Sequence, residues 1–395
     1  MLPRRSLVVY LLGLLACGIG ATASHAQNST QEKNSVRVYI GTTGAKGGGK
    51  GIYRLELDRA AGKLSPAVLA AETTNPHFIA VHPSGKFIYA VSQSPEAKNG
   101  PGTVTAFAID PTTGDLTKLN EQSSGGAGPA FVMVDRAGKN ALIANYSGGS
   151  CGVLPIDADG KLQPLSSFVQ HEGASHVDPK RQEAPHAHSI YLDAANRFAF
   201  VPDLGMDKVM IYRFDGAKGT LTPNNPAFGA VPPGGGPRHF AFHPDGQHAY
   251  AINEMGNTVT AFNYNPEAGS LDAVQTIGTL PDGADPVALK NTTAEVVVHP
   301  SGKFLYGSNR GHNSIAIFTI DPSTAKLTAA GHQGDEIKMP RNFNIDPSGE
   351  FLLVANLDGN NVSLFRIDPK TGQLTPTGSV SEVPKPMCLR FWPAM

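Results

Sequence analysis

The chain has 395 residues, 44 of them Gly and 31 Pro, with 40% apolar side chains and a formal net charge of −1. That apolar content supports a sizeable core, while so much Gly and Pro speaks against a helical protein. A near-neutral balance without a basic run argues against nucleic acid as a partner.

Residues 1–26 read as a signal peptide. Arg4 and Arg5 form the charged start, Leu7 to Ile19 the apolar core, and Ser24-His25-Ala26 a small-residue cleavage site. The apolar stretch is shorter than the ~20 residues that span a bilayer, so no membrane span is predicted. A second reading stays open. Leu14-Leu15-Ala16-Cys17 has the form of a lipoprotein signal, which would leave Cys17 as a lipid anchor. Either way the mature protein is expected to be exported, periplasmic or secreted, and losing Arg4 and Arg5 leaves 30 basic residues against 33 acidic. Residues 27–35 are polar and are expected to be disordered.

Residues 36–395 read as a single all-β domain. Val36 to Ile40 and Gly51 to Leu57 are strands, joined by a Gly/Lys-rich loop. One unit then repeats: a strand, a tight turn such as His82-Pro83-Ser84-Gly85-Lys86, and a second strand. Pro and Gly supply the fixed and permissive backbone angles that such a hairpin needs. Units open at Pro76, Pro129, His186, Pro237, Pro340 and Pro386, 46 to 57 residues apart except for one double gap divided near Glu295. That period suits four-stranded blades, and seven starts predict a seven-bladed β-propeller. The seventh start is followed almost at once by the end of the chain, whereas the N-terminal strands have no first strand before them. The two ends together complete one blade and close the ring.

In a propeller the start of each first strand and the end of each second strand meet at one mouth. Those positions hold His77, Asn145-Tyr146, His186, His188-Ser189, Asp203, Arg238-His239, Asn253-Glu254, Asn309-Arg310, Arg341-Asn342 and Asn356. The mouth is the candidate site. His82, His243 and His299 recur with the turns and read as structural. Glu254 and Arg238 could form a plain ion pair, and Arg310 a rim charge, but their joint occurrence at equivalent blade positions favours chemistry. The pair His186/His188 lacks carboxylates at fixed spacing, so no metal is expected. No helix or Gly-rich phosphate loop precedes these residues. Cys151 and Cys388 are far apart and are expected to be unpaired.

Arg181-Gln182-Glu183-Ala184-Pro185-His186-Ala187-His188-Ser189, Gly236-Pro237-Arg238-His239 with Asn253-Glu254, Asn309-Arg310, and Pro340-Arg341-Asn342-Phe343 carry a family resemblance. The chain resembles the seven-bladed propeller lactonases, which include cycloisomerase-type 6-phosphogluconolactonases and fungal carboxymuconate lactonising enzymes. The resemblance covers most of residues 36–391. It implies an active site of His188, Glu254, Arg238 and Arg310, with His186 able to exchange roles with His188. The expected substrate is a small-molecule lactone, phosphorylated or not, with no cofactor required. Histidine suits a water-activating base near neutral pH, and arginine suits an oxyanion or a substrate anion. Arg181, Gln182, His186, His239, Asn253, Asn309 and Arg341 are the expected substrate contacts. Two other readings remain: an exported propeller that binds a glycan or protein without turnover, and a cycloisomerase for a muconate-type diacid.

Overall fold

The computed structural model describes Met1 and residues 34–44, 47–93 and 100–392. The chain divides into Met1–Ser35 and Val36–Met395, and the second unit carries the fold. The expected signal peptide, the Cys17 anchor and residues 27–33 lie outside the described residues. Ser35 already belongs to the first strand, Ser35–Thr42. No helix among the described residues is long and apolar enough to cross a membrane.

The repeats fold as seven antiparallel sheets, six of them built from four strands consecutive in sequence. The remaining sheet joins both ends of the domain: Pro386–Trp392 pairs with Ser35–Thr42, with Ile40 opposite Leu389 and Gly41 opposite Cys388. The first strand of one blade packs on the first strand of the next. Thus Thr292–Val298 contacts Pro340–Ile345, which contacts Pro386–Trp392, which contacts Phe78–Val81 and closes the circle.

Alternating apolar residues fill the space between sheets. Ile88, Leu142, Phe200, Ile252, Leu305 and Leu352 are each fully buried, and burying such a side chain stabilises the fold by about 1.5–3 kcal/mol. The repeated histidines act in the turns, as their recurrence predicts. His82 Nε2 meets Gly138 O at 2.8 Å, His243 Nε2 meets Gly302 O at 2.9 Å, and His299 Nε2 meets Gly349 O at 2.9 Å, each in the following blade. Trp392 takes this part across the closure, donating Nε1–H to Gly85 O at 2.6 Å. Gly302 has φ +71°, and a Cβ there would strike the His243 ring at 2.8 Å, so both the turn and the tie require glycine.

A second set of ties comes from tyrosines. Tyr39, Tyr89, Tyr250 and Tyr306 donate their hydroxyls to Gly114, Gly160, Ala325 and Gly372 carbonyls of the next blade at 2.8–3.0 Å. Cys151 and Cys388 are buried free thiols. Replacing Tyr306 with Phe would leave the Gly372 carbonyl without its donor. The expected loss is about 1–3 kcal/mol of stability, read as a lower urea midpoint with an unchanged slope.

Candidate active site

The mouth is shaped by a recurring irregularity of the inner strands. Pro237 pairs with Asn253 and His239 with Ile252, leaving Arg238 unpaired between them. The same break isolates Arg341 between Pro340 and Asn342, and Ala130 between Pro129 and Phe131. It also isolates Met387 between Pro386 and Cys388. Each is a β-bulge, and each follows a proline that has no N–H to offer the ladder. The residue before each proline has a left-handed backbone: Gly128 (φ 61°), Gly236 (φ 63°), Met339 (φ 53°) and Lys385 (φ 45°). At Gly236 a Cβ would also press on Leu204 Cγ and Met255 Sδ, both at 3.0 Å. All four bulged side chains line one cavity of about 410 Å³, a size suited to a small ligand.

Glu254 follows the second strand and is buried among arginines. Its Oε1 accepts from Arg181 Nη2 at 2.8 Å, and its Oε2 lies 3.0 Å from Arg238 Nε and 2.9 Å from Arg310 Nη2. Burial alone would raise this carboxyl, but Arg310, Arg238 and Arg181 together hold it far below the ordinary carboxylate range. The Arg238 contact is an ion pair without hydrogen-bond alignment, since Nε has no partner at a suitable angle. Backbone carbonyls fix the two buried guanidiniums: Arg238 Nη1 donates to Ala294 O at 2.7 Å and Arg310 Nη2 to Thr293 O at 2.6 Å.

Arg181 arrives on the insertion before His186. Gln182 anchors that segment, donating to Asp207 Oδ1 at 2.7 Å and to Leu204 O at 2.9 Å. Asp207 also receives the amides of Gly234 (2.7 Å) and Gly236 (2.8 Å), so one carboxylate fixes the Arg181 loop against the Arg238 strand. Arg341 also lines the cavity and forms no ion pair among the described residues. Burial and the charges of Arg238 and Arg310 push it down to about 9, and burial and Arg310 push Arg238 down to about 10. Both stay cationic at neutral pH.

Three buried histidines of the mouth are held toward the neutral form. Burial, followed by Arg238, His239, Arg341 and Arg310, holds His188 well below the usual imidazole value. His77 is lowered to about 4 by burial and by Arg341. His239 is lowered to about 4, chiefly by burial, although Glu295 opposes the shift. Its Nδ1 lies 2.7 Å from Glu295 Oε1.

Of the residues expected at the site, Arg181, His188, Arg238, His239, Glu254, Arg310 and Arg341 line the cavity. The other four are placed elsewhere. Gln182 is the anchor described above. His186 stacks on Tyr146 with ring centroids 4.8 Å apart and meets Tyr146 O through Nδ1. The amides of Asn253 and Asn309 are spent within the blades, on Thr258 and Thr260 and on Thr279 O and Ser314. Several contributors, Ala130, Met387 and Glu295 among them, were not foreseen. Met387 reaches the cavity only because of its bulge, and Glu295, behind His239, marks nothing in sequence beyond the start of a blade.

Two other clusters bear on chemistry. Cys151, His171 and Asp203 follow the order of a thiol triad, with His171 Nδ1 2.6 Å from Asp203 Oδ2 and His171 Nε2 3.9 Å from Cys151 Sγ. All three are sealed, and burial pushes the Cys151 thiol up, so this is an anchor and not a nucleophile. Among the described residues, His243, Asp245 and His248 bring three potential metal-ligand atoms within 4.8 Å of one another, but at the turn joining Pro237–Phe242 to His248–Asn253, the opposite end of that hairpin from Arg238 and Glu254.

The mouth of this propeller joins a buried imidazole to several guanidiniums, groups suited to moving a proton and to holding an anion. The comparisons agree. Residues 37–391 match the family described as Lactonase, 7-bladed beta-propeller. The chain is 37% identical over 355 residues to the 6-phosphogluconolactonase of Bacillus subtilis, covering 89% of this chain and 98% of that one. It is 34% identical to the 6-phosphogluconolactonase of Formosa agariphila, over 78% of this chain and 86% of that one. It superposes on a periplasmic gluconolactonase of Pseudomonas aeruginosa with a TM-score of 0.83 and 31% identity, covering 90% and 99% of the two chains. The chain belongs to the seven-bladed β-propeller lactonase family and is an enzyme of the carboxylic-ester hydrolase class.

Glu254→Gln should leave Arg238 and Arg310 buried without their counter-charge and cost about 3–5 kcal/mol, measured by chemical unfolding. The sign with pH follows from the depressed carboxyl. Its stabilisation is full above the ordinary value of ~4.3 and is lost as pH falls below it, so the wild-type advantage over the variant should shrink in acid.

Proposed function

We propose that the mouth hydrolyses a sugar lactone that carries an anionic group, of the 6-phospho-glucono-1,5-lactone kind. The observation that carries this is the charge balance: Arg181, Arg238, Arg310 and Arg341 line the cavity against Glu254 alone. With the histidines neutral, the cavity has an excess of positive charge that an anionic ligand would relieve. The printed names of the Bacillus and Formosa relatives support a phosphorylated lactone.

The geometry supports the following chemistry. His188 is neutral at working pH and can take a proton from water as the water attacks the lactone carbonyl. The oxyanion that forms is met by Arg238 and Arg310, whose donors are not all used by Glu254. His188 then returns the proton to the departing ring oxygen. Arg341, which has no carboxylate partner, takes the substrate's anionic group. Glu254 is held too firmly ionised to be a good base. Its part is to fix three guanidiniums in place.

Export is a separate reading, supported by the composition of residues 1–26 and by the periplasmic description of the Pseudomonas protein. Mass spectrometry of the mature N-terminus should give Gln27 first, or an acylated Cys17 if the lipoprotein reading holds.

The experiment is lactone opening by purified protein, with glucono-δ-lactone and its 6-phosphate side by side and spontaneous opening subtracted. The phosphate should give the higher kcat/KM, and Arg341→Ala should remove most of that preference. Preference for the neutral lactone would reject the anion reading and keep the lactonase. His188→Ala should lower kcat by about 10²-fold or more in a folded protein. Because His188 is depressed, its basic form persists below the ordinary histidine value, so kcat/KM should hold through ~6.5 and fall only at lower pH. An acid limb centred near 6.5 would exclude His188 as the base.

A further inference from the structure

Two ring nitrogens in the mouth are buried without a hydrogen-bond partner: His188 Nδ1 and His239 Nε2. Their rings are neighbours, with centroids 5.2 Å apart and planes inclined at 63°. A neutral imidazole offers one donor and one acceptor. Two orphaned nitrogens side by side are therefore complementary when one bears the proton and the other a lone pair.

The state of His239 is fixed from behind. Its Nδ1 faces Glu295 Oε1 at 2.7 Å. An ionised carboxylate only accepts, so Nδ1 carries the proton and Nε2 is bare. Glu295 is itself held, by Asn342 Nδ2 on one oxygen and by the Val296 amide at 3.1 Å on the other. Asn342 is fixed in turn, accepting the Leu389 amide at 2.8 Å. Phe78 and Phe131 pack on the His239 ring, with centroids 5.8 and 5.5 Å away. Such a chain of buried, mutually oriented groups is out of proportion to a residue that only fills space.

His188 supplies the other half. It lines the cavity, and Nδ1 is its sealed nitrogen, which leaves Nε2 for the substrate side. We propose that Glu295 and His239 form a buried proton-holding arm behind His188, in which His239 Nε2 accepts the His188 Nδ1–H and keeps His188 Nε2 bare for the lactone. This rests on the lactonase reading given above. The ring torsion of histidine is soft, so a turn of the His188 ring closes the bond.

The step balances. As a water oxygen bonds to the lactone carbonyl carbon, one water proton passes to His188 Nε2, and the carbonyl electron pair moves onto oxygen. The imidazolium, which faces Arg238, Arg341 and Arg310, is stabilised at Nδ1 by His239 and through it by the Glu295 charge. When the ring C–O bond breaks, the proton leaves His188 Nε2 for the departing oxygen, giving a hydroxyl and a carboxylic acid that ionises in water. His239 and Glu295 are positioning residues in this scheme.

The test separates state from rate. Long-range proton–nitrogen NMR of the full chain should show His188 and His239 both as Nδ1–H tautomers between about pH 6 and about pH 8. His188 in the Nε2–H form would overturn the arm, whether or not a lactone is turned over. In steady state, Glu295→Gln should lower kcat by about 10-fold to 100-fold with KM within about threefold. It should also move the acid limb to lower pH, because the imidazolium loses its supporting charge. Should that variant fail to fold, His239→Gln carries the same kinetic test. A folded variant with unchanged kcat would overturn the arm. Wild-type protein with the expected tautomers but no lactone turnover would keep the arm and reject the reaction.

Discussion

Three guanidiniums meet one carboxylate at the mouth, and the rest of the site is arranged around that contact. Glu254, Arg181, Arg238 and Arg310 come from two neighbouring blades and an insertion, so the cluster forms only when those blades are correctly packed. A buried carboxylate between cations is stable only while its partners stay. This explains the effort spent on fixing each arginine: Arg238 and Arg310 on backbone carbonyls, and Arg181 through the Asp207 anchor. Burial, reinforced by the same crowding of charge, holds His77, His188 and His239 toward the neutral form.

Much of the architecture was legible in the sequence because it rests on local rules. Tight turns of Pro, Gly, Ser and Asp mark each hairpin, alternation marks the strands, and spacing marks the blades. Even the pairing of Pro386–Trp392 with Ser35–Thr42 followed from the two incomplete repeats. Arg238, Glu254 and Arg310 could be placed at the mouth because strand ends in a hairpin are neighbours by construction.

What the sequence concealed depends on register and on distant contact. The bulge that frees Arg238, Arg341 and Met387 adds one residue to a strand without any special residue type at that position. Glu295 lies 56 positions from His239 and gains meaning only from the packing of adjacent inner strands. Gln182, Asn253 and Asn309 sit in the motifs that carry the family likeness, yet the fold uses their amides to hold loops and strand ends. Polar residues at a mouth divide into those that face the cavity and those that make its wall rigid, and sequence position alone does not tell them apart.

The closing blade has a consequence for how such a chain acquires activity. Its inner strand follows every other strand of the ring in sequence, yet it supplies Met387 to the cavity and, through Leu389, holds the Asn342 that steadies Glu295. Arg238, Glu254 and Arg310 are all synthesised more than seventy residues earlier. A chain clipped before that strand therefore contains those three residues while still lacking a finished mouth. The wall of the cavity is therefore whole only once the two ends of the domain have paired.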